Sequence, residues 1–216
     1  MSLLKQLSLF AGLSDEEARL IEQHSMPRTF AKNTIIVSEG DQTDSLYIVL
    51  DGRLKVYCCD ENGKEVTLTD LKKGDYFGEI ALFDGDVRSA SVVSMTASKC
   101  LVINQMAFKD AFTQHPELAF KMIVDLTKRI RDLTRNVKKL ALMDVYGRVA
   151  NTLLQLAQKD GADLITSIPL TQQEIANRVG ASREMVARIM KDLETGGYIR
   201  QQNKKIIIEN TLPLHY

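Results

Sequence analysis

The sequence predicts an α+β chain built from an N-terminal β-roll, a long dimerisation helix and a C-terminal winged helix-turn-helix. Three observations carry that expectation. In the first half, short apolar runs are punctuated by glycines at 40, 52, 63, 74, 78 and 85, a cadence suited to a small β-sandwich or barrel. From Pro116 the apolar period lengthens, with Ile123, Leu126, Ile130, Leu133, Val137 and Leu140 spaced 3, 4, 3, 4, 3, an a/d seam. Beyond Asp144, two short helix signals flank Gly180 and lead into a hairpin, the order of a helix-turn-helix with a wing. The domain boundaries read as residues 1–115, 116–143 and 144–216.

Composition narrows the function classes. With 216 residues, 44% of them hydrophobic and 26% charged, the chain can bury cores and is not a disordered polymer. Its 28 basic and 28 acidic residues cancel, but unevenly along the chain. Residues 1–120 carry −6, residues 121–148 carry +5 and residues 149–216 carry +1. An acidic front and a basic middle point to separate jobs, and local charge rather than net charge governs nucleic-acid binding. No apolar run reaches the eighteen or so residues of a spanning helix. The opening Met1-Ser2-Leu3-Leu4-Lys5 lacks a secretory pattern, so a cytoplasmic protein without membrane partners is expected. Cys58, Cys59 and Cys100 fit neither a disulfide framework nor a zinc site, and His24, His115 and His215 are scattered. A metal-dependent enzyme has little to stand on; the chain reads as a non-enzyme.

Element by element, Ser14 and Glu17 form a capping box for a first helix. Leu46–Leu50 and Leu54–Tyr57, separated by Asp51-Gly52, predict a two-residue hairpin. Leu54–Cys59 and Glu65–Leu71 predict another across Asn62-Gly63, with further strands at Ser91–Val93 and Lys99–Ile103. The stretch from Tyr76 to Ala90 breaks the alternation. It offers backbone N–H groups near Gly78, a carboxylate at Glu79, then Arg88 and Ser89. A helical turn there can aim N–H groups at a phosphate, Arg88 can contact it twice, and Glu79 can accept from a ribose hydroxyl. The plain alternative is a Glu79–Arg88 ion pair beside a glycine turn.

The seam helix, flanked by Lys128, Arg129, Arg131, Arg135, Lys138 and Lys139, predicts a parallel coiled-coil homodimer. Asp144 caps a helix expected over Val145–Gln158, followed by loop and short strand to Ile168. Thr171 and Glu174 form a capping box, Gly180 supplies the turn and Ser182 caps a second helix, Arg183–Leu193. Met185, Val186, Ile189, Met190 and Leu193 form its expected buried stripe, while Arg183, Glu184, Ala187, Arg188 and Lys191 face out. Arginines on such a helix can donate twice to guanine, and Glu184 can accept from cytosine. Solvated pairing of Glu184 with Arg188 is the plain alternative. Tyr198–Arg200 and Lys205–Glu209 form the wing.

The run Gly78-Glu79-Ile80-Ala81-Leu82 followed by Arg88-Ser89-Ala90 resembles the phosphate-binding cassette of cyclic-nucleotide-binding domains. Ser182-Arg183-Glu184-Met185-Val186-Ala187-Arg188 is similar to the recognition helix of the catabolite-activator branch of the Crp–Fnr family of bacterial transcription regulators, and the likeness runs nearly end to end. That resemblance implies an allosteric regulator whose effector is a cyclic nucleotide, cyclic AMP first, with cyclic GMP or cyclic di-GMP behind. It implies no haem and no iron–sulfur cluster. Its ligand contacts would fall on Gly78, Glu79, Ile80, Ala81, Arg88, Ser89, Leu133 and Thr134. Leu133 departs from the family pattern, in which a hydroxyl-bearing pair at 133 and 134 touches adenine. The DNA contacts would fall on Thr171, Gln172, Ser182, Arg183, Glu184 and Arg188, reading palindromic TGTGA-like half-sites. RNA polymerase is a further implied partner, through loops such as Lys159–Asp163. Two other classes compete: a nucleotide-binding regulatory subunit without DNA binding, and a cupin-type enzyme, which needs a histidine-rich site this chain lacks.

Overall fold

The computed structural model describes residues 4–7, 10, 12–161, 163–202 and 204–213. Met1, Ser2, Leu3, Ala162 within the 159–163 loop, and His215 lie outside the described residues. The chain divides into two compact units. One is Met1–Cys58 with Thr67–Ile130; the other is Cys59–Val66 with Arg131–Tyr216.

In the first unit, α1 (Asp15–Gln23) starts at the expected capping box: Ser14 Oγ accepts from the Glu17 N–H, and the Glu17 carboxylate accepts from the Ser14 N–H. Next come β1 (Ser25–Phe30), β2 (Ile35–Val37), β3 (Ser45–Asp51), β4 (Arg53–Cys59), β5 (Glu65–Lys72) and β6 (Tyr76–Phe77). A short α2 (Glu79–Asp84) precedes β7 (Ser91–Ser94), β8 (Ser98–Asn104) and α3 (Gln105–Gln114). The strands form two four-stranded sheets, ordered β1-β8-β3-β6 and β2-β7-β4-β5. β3 is buried on both faces. Leu46 and Ile48 join Leu101, Ile103, Phe108 and Met122 in one core, while Tyr47 and Val49 join Leu54, Phe77 and Val92 in another. That division follows from the two-residue period of a strand.

The expected hairpin across Asp51-Gly52 does not form. β3 pairs with β8 and β6, whereas β4 pairs with β7, so Asp51-Gly52 is a corner between sheets. Gly52 takes φ +91, and a Cβ built there would stand 2.2 Å from Ser98 Oγ and 2.7 Å from the Ala97 carbonyl oxygen. The glycine serves close approach to the neighbouring strand rather than a tight turn. The hairpin across Asn62-Gly63 does form, with β4 beside β5.

The long helix α4 (Pro116–Leu142) contributes to both units. In the second unit, Asp144 caps α5 (Val145–Leu156) through its carboxylate and the Gly147 N–H. The structure corrects the reading of helix to Gln158: Ala157 and Gln158 open β9 (Ala157–Asp160), which pairs with β10 (Asp163–Thr166). Cross-strand pairing of Ala157 with Thr166 and Gln158 with Ile165 overrides local helix preference. The short strand expected before Ile168 is β10, and the loop expected ahead of it is partly taken up by β9. α6 (Gln172–Val179) and α7 (Arg183–Thr195) follow, then β11 (Ile199–Gln202) and β12 (Lys205–Ile208), giving the sheet order β11-β12-β10-β9. Leu153, Ile175, Val179, Val186, Met190 and Leu193 fill a single core beneath. Arg148 braces the junction, donating from Nε to the Val179 carbonyl at 2.9 Å and from Nη1 to the Met143 carbonyl at 2.9 Å. No helix among the described residues is long and apolar enough to cross a membrane.

Gly52→Ala is expected to destabilise the chain by at least about 2 kcal/mol, combining left-handed strain with overlap on the adjoining strand. Equilibrium denaturation of the full chain measures this. A change below about 0.5 kcal/mol, the scale of a neutral surface substitution, would show that the corner relaxes freely.

Candidate nucleotide site and nucleic-acid interface

β6 runs into Gly78, whose φ of +89 turns the chain into α2. A Cβ on residue 78 would lie 2.4 Å from Arg88 Nη1 and 2.8 Å from the Ser45 carbonyl oxygen. Position 78 therefore accepts only glycine, on both conformational and steric grounds. Arg88 is 3% exposed. Its Nη1 donates to the Gly78 carbonyl at 2.7 Å, Nη2 to the Ser45 carbonyl at 2.6 Å, and Nε to Thr43 Oγ1. Burial lowers the Arg88 pKa from its ordinary value, while Tyr47, Glu79, Asp44 and Asp41 act in the opposite sense. Ser89 is exposed and its carbonyl accepts from Cys58 Sγ at 3.7 Å. Ile80 is largely exposed and Ala81 is buried.

The Glu79–Arg88 ion pair considered above is not what forms. Glu79 is 4% exposed and its Oε1 accepts from Arg129 Nη1 of α4 at 2.8 Å. Arg129 Nη2 donates to the Tyr76 carbonyl at 2.7 Å, and its guanidinium lies 4.3 Å from the Tyr76 ring centroid. Burial pushes the Glu79 carboxyl up, with Arg129 opposing it. Sequence reasoning placed Arg129 only among the cations flanking the seam and did not assign it to this site. Its one signal is position, a single turn before Leu133. The first unit thus brings together Gly78, Glu79, Arg88 and Arg129. Leu133 and Thr134 are exposed on the segment of α4 that belongs to the second unit.

Along the seam, Ile123, Ile130, Leu133, Val137 and Leu140 are exposed. Leu126 departs from this set: it packs half-buried against the first core, which also holds Leu118 and Met122. A helix that serves its own domain at one end cannot keep the whole seam free. Among the cysteines, Cys100 is a buried apolar filler, its thiol pushed up to about 12 by burial, whereas Cys59 is exposed. The described residues contain no group of three His, Cys, Asp or Glu placed to hold a metal ion.

In the second unit, Thr171 Oγ1 accepts from the Glu174 N–H while the Glu174 carboxylate accepts from the Thr171 N–H. Gly180 ends α6 at φ +64, and Ser182 Oγ accepts from the Met185 N–H to open α7. Val186, Ile189, Met190 and Leu193 are buried as expected. Met185 is not, being 43% exposed; it sits in the first turn, one position before the stripe begins at Val186. Arg183, Glu184, Arg188 and Lys191 are exposed, and among the described residues Glu184 and Arg188 form no ion pair with each other. Their donors and acceptors are open to a partner, the arrangement that base-edge reading needs.

Comparison with known proteins adds independent findings. A cyclic nucleotide-binding domain model matches residues 27–115, and a Crp-like helix-turn-helix model matches residues 147–214. The CRP-like cAMP-activated global transcriptional regulator of Mycobacterium tuberculosis strain H37Rv is 32% identical over 213 residues, covering 97% of this chain and 95% of that protein. The cAMP-activated global transcriptional regulator CRP of Escherichia coli O157:H7 is 34% identical over 194 residues, 87% of this chain and 91% of that protein. Among solved structures, the c-di-GMP responsive global regulator CLP of Xanthomonas campestris superposes with a TM-score of 0.81 at 26% identity, over 92% of this chain and 100% of that one.

Two measurements check the Glu79 environment. Because burial raises the folded-state pKa of Glu79, its contribution to stability is present below the ordinary carboxylate range and lost as pH rises through the raised value. Wild type is therefore expected to lose stability relative to Glu79→Gln as pH increases; a pH-independent difference would contradict it. Arg129→Ala removes the opposing cation. It is expected to raise the Glu79 pKa further in a carbon-13 titration, and to cost on the order of 2 kcal/mol, less than a fully buried pair because the guanidinium is partly solvated.

Proposed function

The chain belongs to the CRP-like family of DNA-binding transcription regulators that carry a cyclic nucleotide-binding domain, and on that premise we propose a cytoplasmic homodimer whose effector is cyclic AMP. Residues 1–115 form the sensor, residues 116–143 the dimerisation helix and residues 144–216 the reader. The observation that carries the effector reading is the buried Arg88 standing beside Gly78 and Glu79 in one cassette. A guanidinium held at this depth offers a cyclic phosphate a preorganised cation, with Ser89 beside it in sequence. In this reading Glu79, held by Arg129, accepts from the ribose hydroxyl. Ile80 and Ala81 supply backbone at the start of α2.

The exposed seam residues Ile123, Ile130, Leu133, Val137 and Leu140 support pairing of two α4 helices. In the active dimer the two α7 helices stand one turn of DNA apart, roughly 34 Å, on palindromic TGTGA-like half-sites. Arg183 and Arg188 donate to guanine and Glu184 accepts from cytosine, while Thr171, Gln172 and Ser182 contact the backbone. Effector binding shifts a pre-existing equilibrium between reader arrangements. RNA polymerase is the downstream partner, and the chain carries out no catalysis itself.

A second reading, control by cyclic di-GMP, is favoured by one residue: Leu133 offers no hydrogen bond to a base edge. The CLP relative bears a c-di-GMP responsive description, so base identity is the finer question. Calorimetric titration of the full-length protein with cyclic AMP, cyclic GMP and cyclic di-GMP separates the readings. Cyclic AMP is expected to bind tightest, and Arg88→Ala to abolish that binding. No heat from any nucleotide, or equal binding by the variant, sinks the pocket assignment.

For DNA, Arg183→Ala is expected to cost about 1–3 kcal/mol and relax selectivity at one guanine position. Competition binding against single-base operator variants reads it. A uniform loss across all sequences would mark Arg183 as a phosphate contact instead.

A further inference from the structure

We infer that Thr43, in the turn between β2 and β3, is a positioning residue for effector binding, its hydroxyl fixing the Arg88 guanidinium in the orientation that meets a cyclic phosphate. This deepens the proposed function and rests on its reading of Arg88 as the phosphate contact. The turn is polar, Ser38-Glu39-Gly40-Asp41-Gln42-Thr43-Asp44, and its own bonds shape it. The Asp41 N–H donates to the Ser38 carbonyl at 3.2 Å, and the Asp41 carboxylate accepts from the Ser38 N–H at 3.0 Å. It then holds Arg88 by the backbone. The Gly40 N–H donates to the Arg88 carbonyl at 2.9 Å, and the Arg88 N–H donates to the Asp41 carbonyl at 2.9 Å. With its backbone tied on both sides, Arg88 keeps freedom only in its side-chain torsions.

Those torsions are fixed by three acceptors and a ring. An arginine carries five N–H donors in a planar fork. Thr43 Oγ1 takes the one on Nε, the Ser45 carbonyl takes one from Nη2 and the Gly78 carbonyl takes one from Nη1. The Tyr47 ring, stacked on Phe77 with centroids 4.8 Å apart, lies 5.9 Å from the guanidinium carbon. Among the described residues, one N–H on each Nη is left without an acceptor. Two such donors suit two oxygens of a phosphodiester.

Thr43 differs in kind from the other two acceptors. Ser45 and Gly78 contribute backbone carbonyls, which any residue would supply, whereas Thr43 contributes a hydroxyl that the sequence had to choose. The bond at Nε also controls more than its own atom, because rotation about Cδ–Nε swings both Nη groups and a held Nε–H stops that rotation. A β-branched side chain presents its hydroxyl in few rotamers, which sharpens the hold. Without Oγ1, a guanidinium this buried has an N–H with no partner and little water to replace it. Thr43 itself is exposed and joins none of the apolar cores, so removing its hydroxyl acts on Arg88 rather than on the packing of the roll.

The test uses full-length Thr43→Val, which keeps the shape and loses the hydroxyl, and Thr43→Ser, which restores it. Calorimetric titration with cyclic AMP reads affinity. The proton–nitrogen spectrum of the arginine Nε–H groups reads position, with Arg88→Lys identifying the Arg88 signal by its loss. Thr43→Val is expected to bind cyclic AMP about tenfold more weakly, the scale of one hydrogen bond to a charged group. Its ligand-free Arg88 Nε–H signal is expected to shift and to exchange faster with water. Thr43→Ser is expected to stay within about twofold of wild type in affinity and to keep the wild-type signal. Wild-type affinity in Thr43→Val, equal losses in both variants, or weakened binding with the Nε–H signal unmoved overturns the positioning role. A wild-type Arg88 Nε–H that exchanges as fast as a solvated arginine overturns it without any variant. Wild type that binds neither cyclic AMP, cyclic GMP nor cyclic di-GMP sinks the pocket reading instead, and the role of Thr43 falls with it.

Discussion

Burying a guanidinium is tolerable only when acceptors surround it, and Arg88 organises the sensor around that demand. Its three bonds reach Thr43, the Ser45 carbonyl at the start of β3, and the Gly78 carbonyl at the end of β6. Two stretches far apart in sequence, residues 43–45 and Gly78, are thereby held against one side chain. The same crowding explains position 78, where the space a Cβ needs is already taken by Arg88 and Ser45. The buried arginine and the glycine that makes room for it are parts of one packing solution.

Glu79 extends the arrangement outward. A carboxylate this buried calls for a cation, and the cation comes from α4 rather than from the neighbouring cassette. Arg129 also covers the Tyr76 ring and bonds its carbonyl, so the cassette is pinned to the long helix through a charged pair, a backbone bond and an aromatic face. Four residues later on that helix stands Leu133, one helical turn away. The helix that closes the sensor therefore continues directly into the segment where dimerisation and base recognition are proposed.

In the reader, local signals and tertiary packing agree closely. The Thr171–Glu174 box, the left-handed Gly180 and the Ser182 cap all appear as the residues dictate, because capping is decided within three or four residues of chain. Disagreement enters where a strand competes. Ala157 and Gln158 suit a helix but are recruited into a ladder with β10. Met185 suits a buried stripe but precedes the point where α7 meets the core.

By itself the sequence determined the class of fold, the helix caps and the long helix, since each rests on spacing within a few residues. The tertiary structure decided the partners. Asp51-Gly52 is an ordinary hairpin dipeptide until sheet packing makes it a corner against Ser98. Glu79 pairs with Arg129 across fifty residues of chain, and Leu126 is drawn from the seam into the first core. Such choices depend on which surfaces meet in space, and neither periodicity nor local charge encodes that meeting.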